Sequence, residues 1–273
     1  MVFNHMVEYT LLSWNVNGIR AMSKKTIYQS VKFNTWLNKT SPDILCIQET
    51  KAHPDQLTAK LLNPQGYKSY WNSAEKKGYS GVAIYSKTNP LRVNYKIGEE
   101  KFDREGRVIE TEYSEFVLFN VYFPNGKLNE ERLKYKLEFY DYFLEYIEKI
   151  RAEGKSIIIC GDVNTAHTEI DLTHPKNNED VSGFLPIERE WIDKLISLGY
   201  VDTFRYFNKE PEHYTWWSIR NIAKGVTARE RNVGWRIDYF FVSDDIIENI
   251  IESDMLHDVM GSDHCPIVLK LRI

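Results

Sequence analysis

Ile157-Ile158-Ile159-Cys160-Gly161-Asp162-Val163-Asn164 is the stretch on which the fold of this chain turns. The β-branched apolar run predicts a buried strand, and the glycine that follows marks its end. A carboxylate and a carboxamide two residues apart in an extended chain point the same way. Asp162 and Asn164 are therefore expected to project from the strand end into one pocket. Hydrolysis of a phosphate ester needs such a pair: a carboxylate to orient or deprotonate water, and a neutral donor to hold the phosphoryl oxygen. A Gly-Asp pair after a strand is also ordinary turn punctuation. What separates the two is whether other segments bring a metal site, a histidine and a groove to the same edge.

The chain has 273 residues, enough for one large domain with a sizeable core. No Pro/Gly/Ser linker, low-complexity tract or composition shift divides it, so a single domain over 1–273 is expected, with 1–8 a flexible or tag-derived lead. A net charge of −4 argues against a protein that coats nucleic acid through bulk attraction, while leaving room for a basic face beside an acidic site. Cys46, Cys160 and Cys265 each lie in or beside an apolar segment, which predicts buried free thiols in a reducing compartment. No apolar stretch approaches the ~20 residues of a membrane span, and 1–8 lacks the basic and apolar regions of a secretory signal. A cytoplasmic, monomeric protein is expected.

Strand-like runs recur at 10–14, 44–48, 82–86, 107–113, 116–122, 156–160, 237–242 and 266–271. Between some of them lie amphipathic helices. The clearest covers 129–152, where Leu133, Leu137, Tyr140, Leu144 and Ile147 repeat at helical spacing, and weaker ones fit 26–39 and 188–198. Strands do not alternate strictly with helices, which disfavours one doubly wound parallel sheet. An α/β sandwich of two mostly antiparallel sheets packed face to face, with helices outside, suits the pattern better.

Polar residues that look out of place sit at the ends of these strands. Asn15 and Asn17 follow 11–14, Glu49 follows 44–48, and Tyr122 and Asn125 follow 117–121. Asp238 lies inside 235–241, and Asp263-His264 precedes Cys265-Pro266-Ile267-Val268. A carboxylate such as Glu49 closing an apolar strand is costly to bury unless it is paired or binds a metal. One or two carboxylates with waters and substrate phosphate describe a magnesium site. Asp238 poses the same problem, and His264 is a natural partner, because a carboxylate on one imidazole nitrogen raises the basicity of the other. Taken singly, Glu49 also fits a surface charge and His264 a satisfied core histidine.

The motifs do not stand singly. Ser13-Trp14-Asn15-Val16-Asn17-Gly18-Ile19-Arg20, Gln48-Glu49-Thr50-Lys51, Tyr79-Ser80-Gly81-Val82-Ala83 and Cys160-Gly161-Asp162-Val163-Asn164-Thr165-Ala166-His167 resemble the exonuclease III family of abasic-site endonucleases. Asn232-Val233-Gly234-Trp235-Arg236-Ile237-Asp238-Tyr239 and Gly261-Ser262-Asp263-His264-Cys265-Pro266 complete a resemblance that spans nearly the whole chain. It implies the four-layered α/β sandwich shared with DNase I. Carried over by residue, it makes Glu49 the principal magnesium ligand, with Asn17 and Asp263 near the metal and manganese an expected substitute. Asp162 would direct the attacking water. Asn164, Asn15 and His264 would bind the scissile phosphate, Asp238 would orient His264, and Tyr122 would support the phosphate or leaving oxygen, with Asn125 beside it. Some members carry Asp where Asn17 stands; one negative charge fewer predicts a single-metal optimum.

Specificity is expected from Tyr214-Thr215-Trp216-Trp217 and Trp235. By the resemblance, Trp216, Trp235 and Ile237 wall a pocket for a flipped baseless sugar, while Trp217 packs in the core. Rings admit the apolar sugar face and exclude an intact base by size. Arg220, Lys224, Arg229 and Arg231 lie in and around an insert at 221–226 that reads either as a basic, flexible DNA contact or as a solvated loop. Lys51, Lys76, Lys77, Arg104, Arg107 and Lys127 are further candidate phosphate contacts, and Lys127 is placed to influence whether damaged or deaminated nucleotides are incised. The implied activity is magnesium-dependent cleavage of duplex DNA 5′ to abasic sites, with 3′→5′ exonuclease activity and trimming of blocked 3′ ends. An inositol-polyphosphate or sphingomyelin phosphodiesterase of the same superfamily shares the catalytic ends, and an inactive nucleic-acid-binding module would show a broken metal or histidine position.

Overall fold

The computed structural model describes residues 6–220, 222, 223 and 225–273, the Ile222 side chain excepted. In chain order the strands are β1 (Glu8–Asn15), β2 (Ile44–Gln48), β3 (Lys68–Asn72), β4 (Val82–Ser86), β5 (Arg92–Asn94), β6 (Val108–Glu112) and β7 (Val117–Tyr122). They continue as β8 (Ile157–Asp162), β9 (Tyr200–Asp202), β10 (Ile222–Ala223), β11 (Val226–Thr227), β12 (Asp238–Ser243), β13 (Ile250–Met255) and β14 (Ile267–Arg272). One six-stranded sheet runs β13-β14-β1-β2-β4-β3, and the other β5-β6-β7-β8-β12-β9. Each is antiparallel except for one central parallel pair, β1 with β2 and β7 with β8.

The period-two alternation of the strands builds the layers. Along β8, Ile158 and Cys160 pack with Ile44, Cys46, Val82 and Ile84 in a core between the two sheets. Ile157 and Ile159 face the other way, against Phe139, Phe143 and Trp191 of the outer helices. On the first sheet, Leu12, Trp14, Leu45 and Ile47 turn outward onto Phe33, Trp36 and Leu37. Both faces of each sheet are covered, which gives the helix, sheet, sheet, helix order of the expected four-layered sandwich. Cys46, Cys160 and Cys265 are free and buried in the core between the sheets, as their apolar neighbours predicted.

The long helix spans Glu130–Arg151, and the Asn129 side chain caps it by accepting from the Arg132 amide at 2.9 Å. Its buried stripe includes Phe139, Phe143 and, less expectedly, Lys136, whereas Leu133 and Leu137 are only half-buried. The expected helix at 188–198 is Pro186–Ser197. The expected helix at 26–39 is a correction. Gln29 and Ser30 adopt left-handed backbone (φ 43 and 64), the Val31 carbonyl accepts from the Ile27 amide, and helix begins only at Phe33.

Gly161 does not end its strand; β8 runs through it to Asp162, which pairs with Tyr122 on one side and Asp238 on the other. Its φ is +138, and a Cβ there would lie 1.9 Å from the Val121 carbonyl oxygen. Only glycine allows the two parallel strands to approach this closely.

Candidate active site

The strand ends converge. Asn15 closes β1, Tyr122 closes β7, Asp162 closes β8, Asp238 opens β12, Glu49 follows β2 and His264 precedes β14. They meet at one edge of the sandwich in a cleft of about 310 Å³. Asn17, Glu49, Tyr122, Asn125, Lys127 and Asp162 line it, together with Asn164, Trp216, Trp235, Ile237, Asp263 and His264. Asn15 and Asp238 are buried directly behind this wall. Arg220 is exposed on its loop and does not line the cleft. In the insert, Asn221 and Lys224 lie outside the described residues, and Ile222–Ala223 pairs with Val226–Thr227 as a short antiparallel ribbon.

Asp162 and Asn164 do share the pocket, but not by strand alternation. Asn164 is left-handed (φ 56), and its amide donates back to Asp162 Oδ1 at 2.8 Å, a side-chain-closed turn. The Asn164 amide group donates to the Phe123 carbonyl at 2.9 Å, while its Oδ1 accepts from Asn125 at 2.8 Å. Asp162 Oδ2 accepts from Asn15 at 2.8 Å. Burial, with the nearby Asp238 charge adding to it, pushes the Asp162 carboxyl up to about 7; the His264 charge, Asn15 and the Asn164 amide restrain the rise.

His264 Nδ1 lies 2.8 Å from Asp238 Oδ2, and its Nε2 is 3.9 Å from Asp162 Oδ2. Burial disfavours the imidazolium, but the Asp238 charge and hydrogen bond outweigh it, with help from Asp162 and Asp263, and raise His264 to about 10. The shift favours the protonated ring at neutral pH, with Nε2 turned towards the Asp162 carboxylate. Ligand atoms of Asp162, Asp238 and His264 all lie within 4.8 Å of one another.

The oxygen donors Glu49, Asn17 and Asp263 are contiguous. Asn17 Nδ2 donates to Asp263 Oδ1 at 2.8 Å, and the Lys51 ammonium bridges Glu49 Oε1 at 2.8 Å and Asn17 Oδ1 at 2.7 Å. Asn17, Glu49 and Lys51 all take left-handed backbone, so the loops after β1 and β2 are bent to bring these side chains together. A cation already sits between two of the oxygens, which fits a hard divalent ion held by oxygen ligands.

Aromatic walls complete the cleft. Trp216 and Trp235 meet edge to face with ring centroids 6.4 Å apart, and their backbones exchange hydrogen bonds at 2.9 Å. Trp216 Nε1 donates to Asp263 Oδ2 at 3.0 Å, tying the wall to the acidic cluster. The Lys127 ammonium lies over both rings, 4.8 Å from Trp235 and 5.3 Å from Trp216. Trp217 is buried in the core, as expected. Arg107 is a correction: it is 2 % exposed and bonded to Glu105, Tyr79 and the Tyr122 carbonyl, so it positions Tyr122 and is not open to a phosphate. Lys51 was expected only as a phosphate contact. Gly183, which also lines the cleft, was missed because a loop glycine carries no chemical signal.

The sequence profile of the Endonuclease/Exonuclease/phosphatase family matches residues 12–264. The exodeoxyribonuclease of Bacillus subtilis (strain 168) is 44% identical over 264 residues, covering 96% of this chain and 99% of that protein. The DNA repair nuclease APEX1 of Danio rerio is 41% identical over 266 residues, covering 96% of this chain and 82% of that protein. Among solved structures, an AP endonuclease from Archaeoglobus fulgidus superposes with a TM-score of 0.82 at 28% identity, covering 96% of this chain and 98% of that one. With strand order, cleft and motifs in agreement, the chain belongs to the endonuclease/exonuclease/phosphatase family, in its exonuclease III branch of abasic-site endonucleases, and is a hydrolytic nuclease.

Proposed function

We propose that this chain is a magnesium-dependent DNA repair phosphodiesterase that cleaves duplex DNA 5′ to an abasic site and leaves a 3′-hydroxyl. The observation that carries this reading is the Trp216–Asp263 hydrogen bond, because it joins the ring-walled pocket to the acidic phosphate-cleaving centre in one cleft. A phosphatase of small soluble esters has no use for that wall. A baseless sugar fits it, since its apolar face stacks on rings that leave no room for an intact base.

In the reaction, the His264 imidazolium, held by Asp238, meets the anionic phosphoryl oxygen together with the Asn164 amide, while Asn15, expected as a phosphate ligand, is fully buried behind the wall and holds Asp162 instead. Asp162 orients the attacking water and takes its proton, which its raised pKa equips it to do near neutral pH. Tyr122 stands where the leaving oxygen can be supported, held by Arg107 4.8 Å from its ring. Glu49, Asn17 and Asp263 would hold the divalent ion, which supplies charge neutralisation at the scissile phosphate. Because Asn17 carries no charge and already accepts from Lys51, one ion is the expected stoichiometry. The same pocket would accept a blocked 3′ end, which also presents a sugar without a stacked neighbour, and so supports 3′-trimming and 3′→5′ exonuclease activity in a monomer.

The deciding experiment is a nicking assay on a duplex with one abasic analogue, with magnesium and with EDTA. Incision 5′ to the lesion that EDTA abolishes is expected; cleavage of inositol or lipid phosphodiesters in its place would refute the reading. Trp216→Ala should relax exclusion of intact nucleotides by about tenfold or more relative to abasic DNA. Unchanged discrimination against undamaged duplex would remove Trp216 from the specificity pocket.

A further inference from the structure

Behind the cleft lies an ion pair that the chemistry above does not use. Lys136 on the long helix and Glu188 in the first turn of helix Pro186–Ser197 are both 0% exposed, with Nζ and Oε1 2.6 Å apart. Two charges taken fully out of water are retained only with complete hydrogen bonding, and often a well-packed apolar pair would serve stability as well. Here the bonding is complete and it points at the site. The Lys136 ammonium also donates to the Asn164 carbonyl and to Thr165 Oγ1, both at 2.8 Å. The Glu188 carboxylate accepts from the Gly183 amide at 2.5 Å, the Leu185 amide at 3.2 Å and the Ser182 hydroxyl at 2.9 Å.

Each charge thus holds a different wall of the cleft. Lys136 holds the carbonyl of Asn164, a non-glycine residue in left-handed backbone whose side chain faces the phosphate site. Glu188 holds Gly183, whose Cα is packed so tightly that a Cβ would lie 3.1 Å from the Trp235 ring and 3.3 Å from the Asn164 carbonyl. A helix cap alone needs only the Leu185 bond; it does not require a lysine buried at the partner helix.

We infer that Lys136 and Glu188 are a positioning pair that sets the catalytic Asn164 and the Trp235 pocket wall in register with each other, so that the baseless sugar and its phosphate are engaged together. This rests on the assignment of Asn164 and Trp235 to the reaction, and the test keeps the two apart. Four forms of the full chain are compared on abasic duplex under single-turnover and saturating conditions: the parent, Asn164→Ala, Glu188→Gln, and the double variant Lys136→Met/Glu188→Leu. The double variant removes both charges together and so leaves none buried unpaired.

The expected result is a cooperative melt for the double variant with kcat lowered at least about tenfold. Glu188→Gln, which keeps an oxygen for the Gly183 amide, should hold affinity for abasic duplex within about twofold while kcat falls. A double variant that melts cooperatively and cleaves within about twofold of the parent, beside an inactive Asn164→Ala, overturns the positioning role alone. An active Asn164→Ala overturns the site assignment and the inference with it. If the double variant does not melt cooperatively, Glu188→Gln decides: a loss confined to kcat sustains the inference, and unchanged kcat overturns it.

Discussion

Asp162 and His264 are both shifted upwards, the first by burial and the second in spite of it. The carboxyl is pushed up to about 7 chiefly by desolvation, and the imidazolium is held to about 10 because Asp238 outweighs the same desolvation. Asp162→Asn should therefore lower incision by roughly 10²–10⁴ while binding of abasic duplex, measured by fluorescence anisotropy, stays near that of the parent. Asp238→Asn has a different signature. Without the partner carboxylate, His264 falls back towards its ordinary pKa, so kcat/KM should lose an alkaline plateau and decline as pH rises through roughly 6.5; a profile still flat to pH 9 would separate Asp238 from the histidine. At this scale most of the site was legible, since Glu49, Asp238 and His264 are charged residues in apolar segments and such placement has few cheap explanations. What was not legible is where a long side chain ends. Arg107 looked like a phosphate contact, and only its burial against Glu105 and Tyr79 shows otherwise.

Among elements, β8 is the one whose geometry the others follow. Its parallel pairing with β7 brings Asp162 level with Tyr122, and its antiparallel pairing with β12 brings it level with Asp238. Gly161 permits both, because any Cβ would meet the Val121 carbonyl. Gly161→Ala should cost about 3 kcal/mol or more, read as a lowered midpoint in urea unfolding, although the substitution changes no catalytic group. The long strands and the long helix could be read from periodicity alone. The helix expected at 26–39 could not, because a tight turn at Gln29-Ser30 leaves the apolar spacing of Ile27 and Val31 intact while breaking the helix. Short edge strands such as β5 and β9, three residues each, are below the length at which alternation carries information.

Across the whole molecule, a second set of buried charges braces the region behind the pocket. Arg236, between Trp235 and Ile237, bonds Asp171 and Asp202 at 2.7 Å, and Arg205 reaches Asp171 at the same distance. Burial would raise the Asp171 carboxyl, but the two guanidinium groups outweigh it and hold the group well below the usual carboxylate range. A depressed folded pKa contributes stability that is complete above the unfolded value and lost as pH falls from about 4 towards the folded value. Asp171→Asn should therefore lower stability at pH 7 by roughly 3–5 kcal/mol and flatten the acid limb of a melting-temperature profile; an acid limb of unchanged steepness would place the cause elsewhere. None of this cluster was visible in the sequence, where its members are isolated charges on distant segments.

The three free cysteines give the molecule a built-in gauge of its own opening. Cys46 and Cys160 lie on β2 and β8, the strands that lead to Glu49 and Asp162, and Cys265 follows His264 directly. A thiol reagent can reach them only when the sheets part at the catalytic edge, so the rate of labelling in mild denaturant measures that separation. Labelling with and without abasic duplex would report how far the substrate clamps the sandwich shut, residue by residue, with no dye or engineered probe.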